Sequence, residues 1–201
     1  MYLSKILLGG SACRNPYEIH RALWKIFSEN AGAVRDFLFR VERSDRNQAE
    51  ILMQSNRQPE GSSKTVKILE CREYPLRLSA DQRLRFLLVA NPVKTINDEL
   101  GRKNAEGEPK KCRVPLIRDE EQRLWIKRKF LNAATLETLI VDGAVPLRFR
   151  KGREDRAGKV QPVVFQGILK VEDPETVVGL VHGGIGPAKA FGCGLLSIAR
   201  A

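Results

Sequence analysis

An α+β fold with antiparallel sheets is predicted by three observations. Short apolar segments of strand type alternate with helices, two of which open on an Asn-Pro or Asp-Pro cap. The order strand–helix–strand–strand–(helix)–strand can be read twice along the chain. The 201 residues are 42% hydrophobic, and a chain of this length buries roughly 70% of its unfolded surface, as one domain or two small ones. The repeated order is the ferredoxin-like (RRM-like) pattern. Two tandem domains are therefore expected, residues 1–80 and 81–201, with the seam near Leu78 to Gln82. No clear residue-level repeat relates the halves.

In the first half, Tyr2 to Leu8 reads as a strand. Asn15 then caps a helix with Pro16 in its first turn, running to about Phe27. Arg35 to Glu42 alternates as a strand; Ala49 to Gln54 and Val66 to Arg72 supply two more. Gln58 to Lys64 is polar, with Pro59 and Gly61, and reads as a loop. A second helix is not visible in this half; the Asn56–Lys64 region holds its place.

In the second half, Arg83 to Ala90 is a strand that Asn91-Pro92 ends. A basic excursion follows to Lys111, with turn signals at Gly101 and Gly107. Cys112 to Ile117 reads as a returning strand that Pro115 confines to an edge. Asp119 or a neighbour caps a helix of poor amphipathicity, to about Ala133 or Ala134. Leu147 to Arg150 and Val160 to Val171 are expected to pair as a hairpin across the basic loop 151–159. Asp173-Pro174-Glu175 opens a last helix to about His182, and a Gly-rich loop leads to a terminal strand, Cys193 to Ile198.

Composition narrows the function. No stretch approaches the ~20 apolar residues of a membrane span. Met1 to Leu8 is too short an apolar run for a signal peptide, and no small-residue cleavage site follows. Cys13, Cys71, Cys112 and Cys193 form no C-x-x-C pair, so neither a zinc site nor a disulfide framework is expected. A cytoplasmic protein with no metal or cofactor fits these features. The net charge is +11, from 35 Lys+Arg against 24 Asp+Glu. Two runs are dense: Arg102, Lys103, Lys110, Lys111, Arg113 and Arg118; and Arg148, Arg150, Lys151, Arg153, Arg156 and Lys159. They read as a face for a polyanion, such as a double-stranded or hairpin RNA whose phosphates they would contact, or as a merely solvated basic surface.

His20 is the one candidate for acid–base chemistry. At 100° per residue, Ile19, Leu23, Ile26 and Phe27 define a buried arc, and His20 lies at its edge with Tyr17 and Trp24 on the same stripe. An imidazole beside a phenol can move a proton and orient a hydroxyl near neutral pH. Spacing alone favours the plainer reading, a helix-edge histidine packed on Trp24. There is no G-x-S-x-G elbow and no carboxylate trio for a two-metal nuclease, and Asp119, Glu120 and Glu121 diverge around a helix start. The tail Gly183 to Gly194 departs from the nucleotide-binding glycine loops, because it follows a helix and precedes a strand. Its glycines and Lys189 could wrap an anion, or simply turn the chain.

Read together and in order, these segments resemble a known family. They are Met1-Tyr2-Leu3-Ser4-Lys5, Tyr17-x-x-His20 with Leu23-Trp24, Arg35-Asp36-Phe37-Leu38-Phe39, Asn91-Pro92-x-Lys94-Thr95, Arg113-Val114-Pro115-Leu116, Gly184-Ile185-Gly186-Pro187-Ala188-Lys189 and Gly192-Cys193-Gly194-Leu195-Leu196-Ser197. Over essentially the whole chain they resemble the CasE family, the CRISPR repeat-processing endoribonucleases of the type I-E Cascade complex. The resemblance implies a tandem ferredoxin-like fold and metal-independent cleavage of precursor RNA at the base of a repeat stem-loop. The 2′-hydroxyl would attack, leaving a 2′,3′-cyclic phosphate and a 5′-hydroxyl. It maps the catalytic histidine to His20 and the tyrosine to Tyr17, with Lys25 as a further helper. The candidates for RNA contact are Lys94, Arg102, Lys103, Lys110, Lys111, Arg113, Arg148, Arg150, Lys151, Arg156, Lys159, Gly184, Gly186 and Lys189. The protein would stay on the 3′ hairpin of the guide RNA beside other Cascade subunits. The alternatives are a non-catalytic RNA-hairpin-binding subunit on the same fold and a ribosome-associated basic protein. His182 is left as a helix C-terminal residue.

Overall fold

Ser4, Ile6 and Leu8 share one face of strand β1 (Tyr2–Gly9), and burial of that face starts the first core. The structure is a computed structural model that describes residues 1–27, 35–98, 100–150 and 157–201, with only the backbone of Arg150 and Ala157. Helix α1 (Pro16–Trp24) lays Ile19, Ala22 and Leu23 on this core. The Asn15 side chain accepts from Tyr17 N at 3.0 Å, which caps the helix as its sequence predicts. The helix stops three residues short of the expected Phe27. Lys25, Ile26 and Phe27 donate instead to Ala22, Leu23 and Trp24, so the last turn tightens and leaves the α-helical path.

Strands β2 (Phe37–Ser44), β3 (Gln48–Ser55) and β4 (Val66–Glu73) complete a sheet of order β2-β3-β1-β4, antiparallel throughout. The crossover 56–65 carries no helix. Its Glu60 and Gly61 N–H groups both donate to the Ile26 carbonyl at 3.0 Å. A Cβ on Gly61 would lie 3.2 Å from Ile26 Cα, so the crossover is clamped on the end of α1.

The second sheet has the order β12-β5-β11-β8, built from β5 (Arg83–Ala90), β8 (Ala134–Gly143), β11 (Val163–Val171) and β12 (Leu196–Arg200). Helix α2 (Asp119–Phe130) precedes β8, and α3 (Pro174–Gly183) precedes β12. Both sheets thus place their four strands in the ferredoxin-like order. Two ribbons stand apart: β6 (Val93–Asn97) with β7 (Lys111–Pro115), and β9 (Leu147–Arg150) with β10 (Ala157–Val160). At Gly101 and Gly107, between β6 and β7, an added Cβ would meet nothing within 4 Å.

Four expectations need correction. The partner of Leu147–Arg150 is Ala157–Val160 alone; Pro162 has no N–H to extend that ladder, and Val163–Val171 runs instead between β5 and β8. β8 itself was not expected, because a bulge at Glu137 breaks its alternation: Leu136 faces Leu169 while Thr138 faces Ile168. Helix α2 has Arg118 at its N-cap with no side-chain cap, and Asp119 is its first residue, bonded to Arg123 at 2.5 Å. The terminal strand starts at Leu196 rather than Cys193, because Gly194 turns at φ 93°. α3 opens as predicted, with Asp173 accepting from Glu175 N at 3.1 Å.

The halves meet through polar bonds. Arg40, only 5% exposed, pairs with Glu42 at 2.7 Å and donates to Ser197 Oγ at 3.0 Å. Gln54 Nε2 donates to Val181 O at 2.8 Å. Among the described residues no helix is long and apolar enough to cross a membrane.

Candidate functional site

α1 holds His20 at the margin of the first core, half-buried. Its ring lies 5.5 Å from that of Phe37, 6.3 Å from Trp24 and 6.5 Å from Phe39. Tyr17, half-buried one turn earlier, is not among the rings that meet it; the expected imidazole–phenol stack is replaced by an aromatic box of Trp24, Phe37 and Phe39. Nε2 is buried and has no hydrogen-bond partner among the described residues. Burial, and then the charge of Arg35, hold the His20 pKa below its ordinary value, so the ring is neutral at pH 7. Turning the ring about χ2 exchanges the positions of its nitrogens and carbons, which would present a nitrogen to a different side of the box. Lys25 is exposed at the C-cap, five positions and about 140° around the axis from His20.

The Gly-rich tail reaches this helix. Its short 3₁₀ turn, Lys189–Phe191, packs on α1. The tail also straddles β2, an edge strand. Gly184 lies on Leu38 from one face, and Gly192 lies on Phe39 from the other. Gly184 must be glycine: at φ 69°, a Cβ would come within 2.7 Å of Leu38 and 2.9 Å of Gly194 O. A Cβ on Gly186 would be 3.0 Å from the Trp125 ring. Close packing therefore accounts for these two glycines without any ligand. Lys189 Nζ donates to Gly183 O at 2.5 Å. Burial, then Arg35 and Lys129, hold its pKa below the usual lysine value.

The basic residues gather on the two ribbons. On the first, Lys103, Lys110, Lys111 and Arg113 are exposed. Two of its cations are spoken for: Arg102 forks onto Asp98 at 2.7 and 2.8 Å, and Lys94 pairs with Glu121 at 3.1 Å. The Arg102 guanidinium holds the Asp98 carboxyl far below the usual range. On the second, Arg148 and Lys159 are exposed, and β9 packs against α1. Lys151 and Arg156 lie outside the described residues, as does the side chain of Arg150. A cleft of about 620 Å³ runs between the halves past Ile19, Phe39, Arg148, Phe191 and Gly192. His20 is not on its wall; Phe39 touches both.

Sequence reasoning missed Arg35 and Lys129. Arg35 had a signal: it continues the alternation of Phe37 and Phe39, the two rings that face His20. Lys129 had none, because its nearness to Lys189 depends on how α2 packs.

His20, the glycine loop packed on its helix and the basic ribbons come together across two sheets of ferredoxin-like strand order. The chain belongs to the CRISPR-associated protein family, whose profile matches residues 1–200. It is similar to the CRISPR system Cascade subunit CasE of Escherichia coli K12, 40% identical over 202 residues and 99% of each chain. The crystal structure of the CRISPR-associated protein Cas6e from Escherichia coli K-12 superposes over 100% of both chains, with a TM-score of 0.86 and 38% identity. A structure of the CRISPR endoribonuclease Cse3 bound to a 19 nt RNA also covers 100% of both chains, with a TM-score of 0.78 and 31% identity.

Proposed function

We propose that this chain is a metal-independent endoribonuclease. It cuts CRISPR precursor RNA in the repeat stem-loop and stays on the 3′ hairpin as a Cascade subunit in the cytoplasm. The carrying observation is His20: a neutral imidazole whose Nε2 has no partner among the described residues, on a helix packed against the glycine loop, in a chain 31% identical to an RNA-bound endoribonuclease. The division into domains 1–80 and 81–201 fits this reading, since the first sheet ends at Glu73 and the second begins at Arg83.

The chemistry follows from the groups present. The 2′-oxygen bonds to phosphorus as the bond to the 5′-oxygen breaks. His20 takes the 2′-hydroxyl proton as general base, and the leaving 5′-oxygen gains a proton from water. Tyr17, on the same helix, helps hold the reacting ribose, and Lys25 is available at the helix end. The exposed cations of the two ribbons hold phosphates of the stem: Lys103, Lys110, Lys111 and Arg113 on one, Arg148 and Lys159 on the other.

The test is a repeat RNA with a single 2′-deoxy substitution at the cut site, assayed beside the all-ribose RNA in EDTA. The all-ribose RNA is expected to be cut, to a 2′,3′-cyclic phosphate, and the substituted one to remain whole. Cleavage of the deoxy substrate, or loss of activity in EDTA, overturns the mechanism. The buried position of Nε2 favours a second reading, a hairpin-binding subunit that does not cut. It predicts tight binding and an intact all-ribose RNA.

A further inference from the structure

Three cations surround the Gly-rich loop beside His20: Arg35, Lys189 and Lys129. None of them has a carboxylate within salt-bridge distance among the described residues. Asp36, the carboxylate next to Arg35 in sequence, lines a small cavity with it, but its two oxygens are taken by the Arg57 fork at 2.7 and 3.0 Å. Arg35 and Gly183 line this same cavity, of about 170 Å³, and the Gly183 carbonyl also holds Lys189 Nζ. Lys129 Nζ stands 5.6 Å from the Trp125 ring, against which Gly186 packs. Arg35 precedes Phe37 and Phe39 on the face whose rings meet His20, and its charge is felt at both His20 and Lys189.

Half-buried like charges repel, and burial costs each of them hydration; a cluster of this kind is relieved by an anion. The geometry points to Arg35, with Lys189, as the seat of the scissile phosphate: Arg35 binds its non-bridging oxygens and stabilises the charge that builds as the 2′-oxygen attacks. A guanidinium suits this task because its planar fork can donate two parallel hydrogen bonds to one phosphate. The inference rests on the endoribonuclease reading and adds a catalytic residue to it. Lys129, exposed, contributes field rather than contact.

The experiment compares wild type, Arg35→Gln and Arg35→Lys in single-turnover cleavage of the all-ribose repeat hairpin at saturating protein. Affinity is measured separately on the uncleavable 2′-deoxy hairpin. Arg35→Gln is expected to slow the chemical step about 100-fold while hairpin affinity changes by less than about threefold. Arg35→Lys, which keeps the charge and loses the fork, is expected to fall between the two. In the free protein, the NMR titration midpoint of His20 is expected to rise in Arg35→Gln, because a positive neighbour has been removed. Wild-type cleavage by Arg35→Gln overturns the inference. So does a loss confined to affinity, with the rate restored at saturation. Should Arg35→Gln fail to fold, Lys189→Gln decides: a full rate at saturation overturns the shared phosphate seat, and a slowed one supports it. A wild-type chain that leaves the all-ribose hairpin whole sinks the endoribonuclease reading instead, an outcome distinct from all of these.

Discussion

The two halves arrange their strands alike and carry different candidate groups. The first sheet runs β4-β1-β3-β2 and the second β12-β5-β11-β8, yet the first crosses from its third strand to its fourth by a loop where the second uses α3. The first half supplies the imidazole, on α1, and Arg35. The second supplies the glycine loop, Lys189, Lys129 and the basic ribbons. The first half also leaves the β2 edge open, and the tail of the second closes over it through Gly184 and Gly192. Duplicated architecture here does not mean duplicated side chains: the α1 helix that carries His20 meets the glycine loop where the halves join.

The sharpest break of this division would come from His20→Ala. It is expected to slow cleavage by about 10²–10⁴-fold with hairpin affinity retained, measured by single-turnover kinetics beside a binding titration. A collapse of binding would make His20 structural. In the wild type, His20 is held neutral by burial and by Arg35, so its base form persists below the ordinary histidine value of about 6.5. The rate should therefore fall only as pH drops below that value, when the ring takes a proton and can no longer accept one. An acidic limb centred above about 6.5 would contradict the lowered value.

A smaller effect separates binding from chemistry. Lys110→Ala and Lys111→Ala, on an exposed ribbon, should weaken the hairpin complex and each reduce the slope of log K against log salt by about one. The cleavage rate at saturating protein should stay at the wild-type level. The smallest comparison uses the two matched caps. Asn15→Ala and Asp173→Ala should each cost about 1 kcal/mol in denaturant unfolding, since each cap side chain accepts one backbone N–H. Only Asn15→Ala should also slow cleavage, because only α1 carries His20. Equal slowing by both would mean that the halves share the catalytic role.

Much of this was legible along the chain. Arg83–Ala90 alternates cleanly and is a strand over those same residues, and Asp173-Pro174 opens its helix where the cap chemistry requires. The Asn15-Pro16 cap located the helix, but helical spacing does not tell which rings from another strand will reach His20; Phe37 and Phe39 did, and Tyr17 did not. β8 was hidden because its bulge puts half-buried Leu136 and Leu139 three apart, which breaks the alternation that marks a strand. β6 was hidden because a two-stranded ribbon with largely exposed faces needs no apolar alternation. Arg35 was visible only in hindsight of the face it shares with two phenylalanines. The expected basic loop 151–159 is described only from Ala157 onward.

The clamp between Gly61 and Ile26 bears on how the molecule can be lengthened. One extra residue in that crossover would lift the end of α1 and carry His20 with it. The tip at Gly107, where nothing lies within 4 Å, could take a tag or a grafted segment without disturbing either core. Length variation between related sequences, and any engineered insertion, should accordingly concentrate at the ribbon tips and spare residues 56–65.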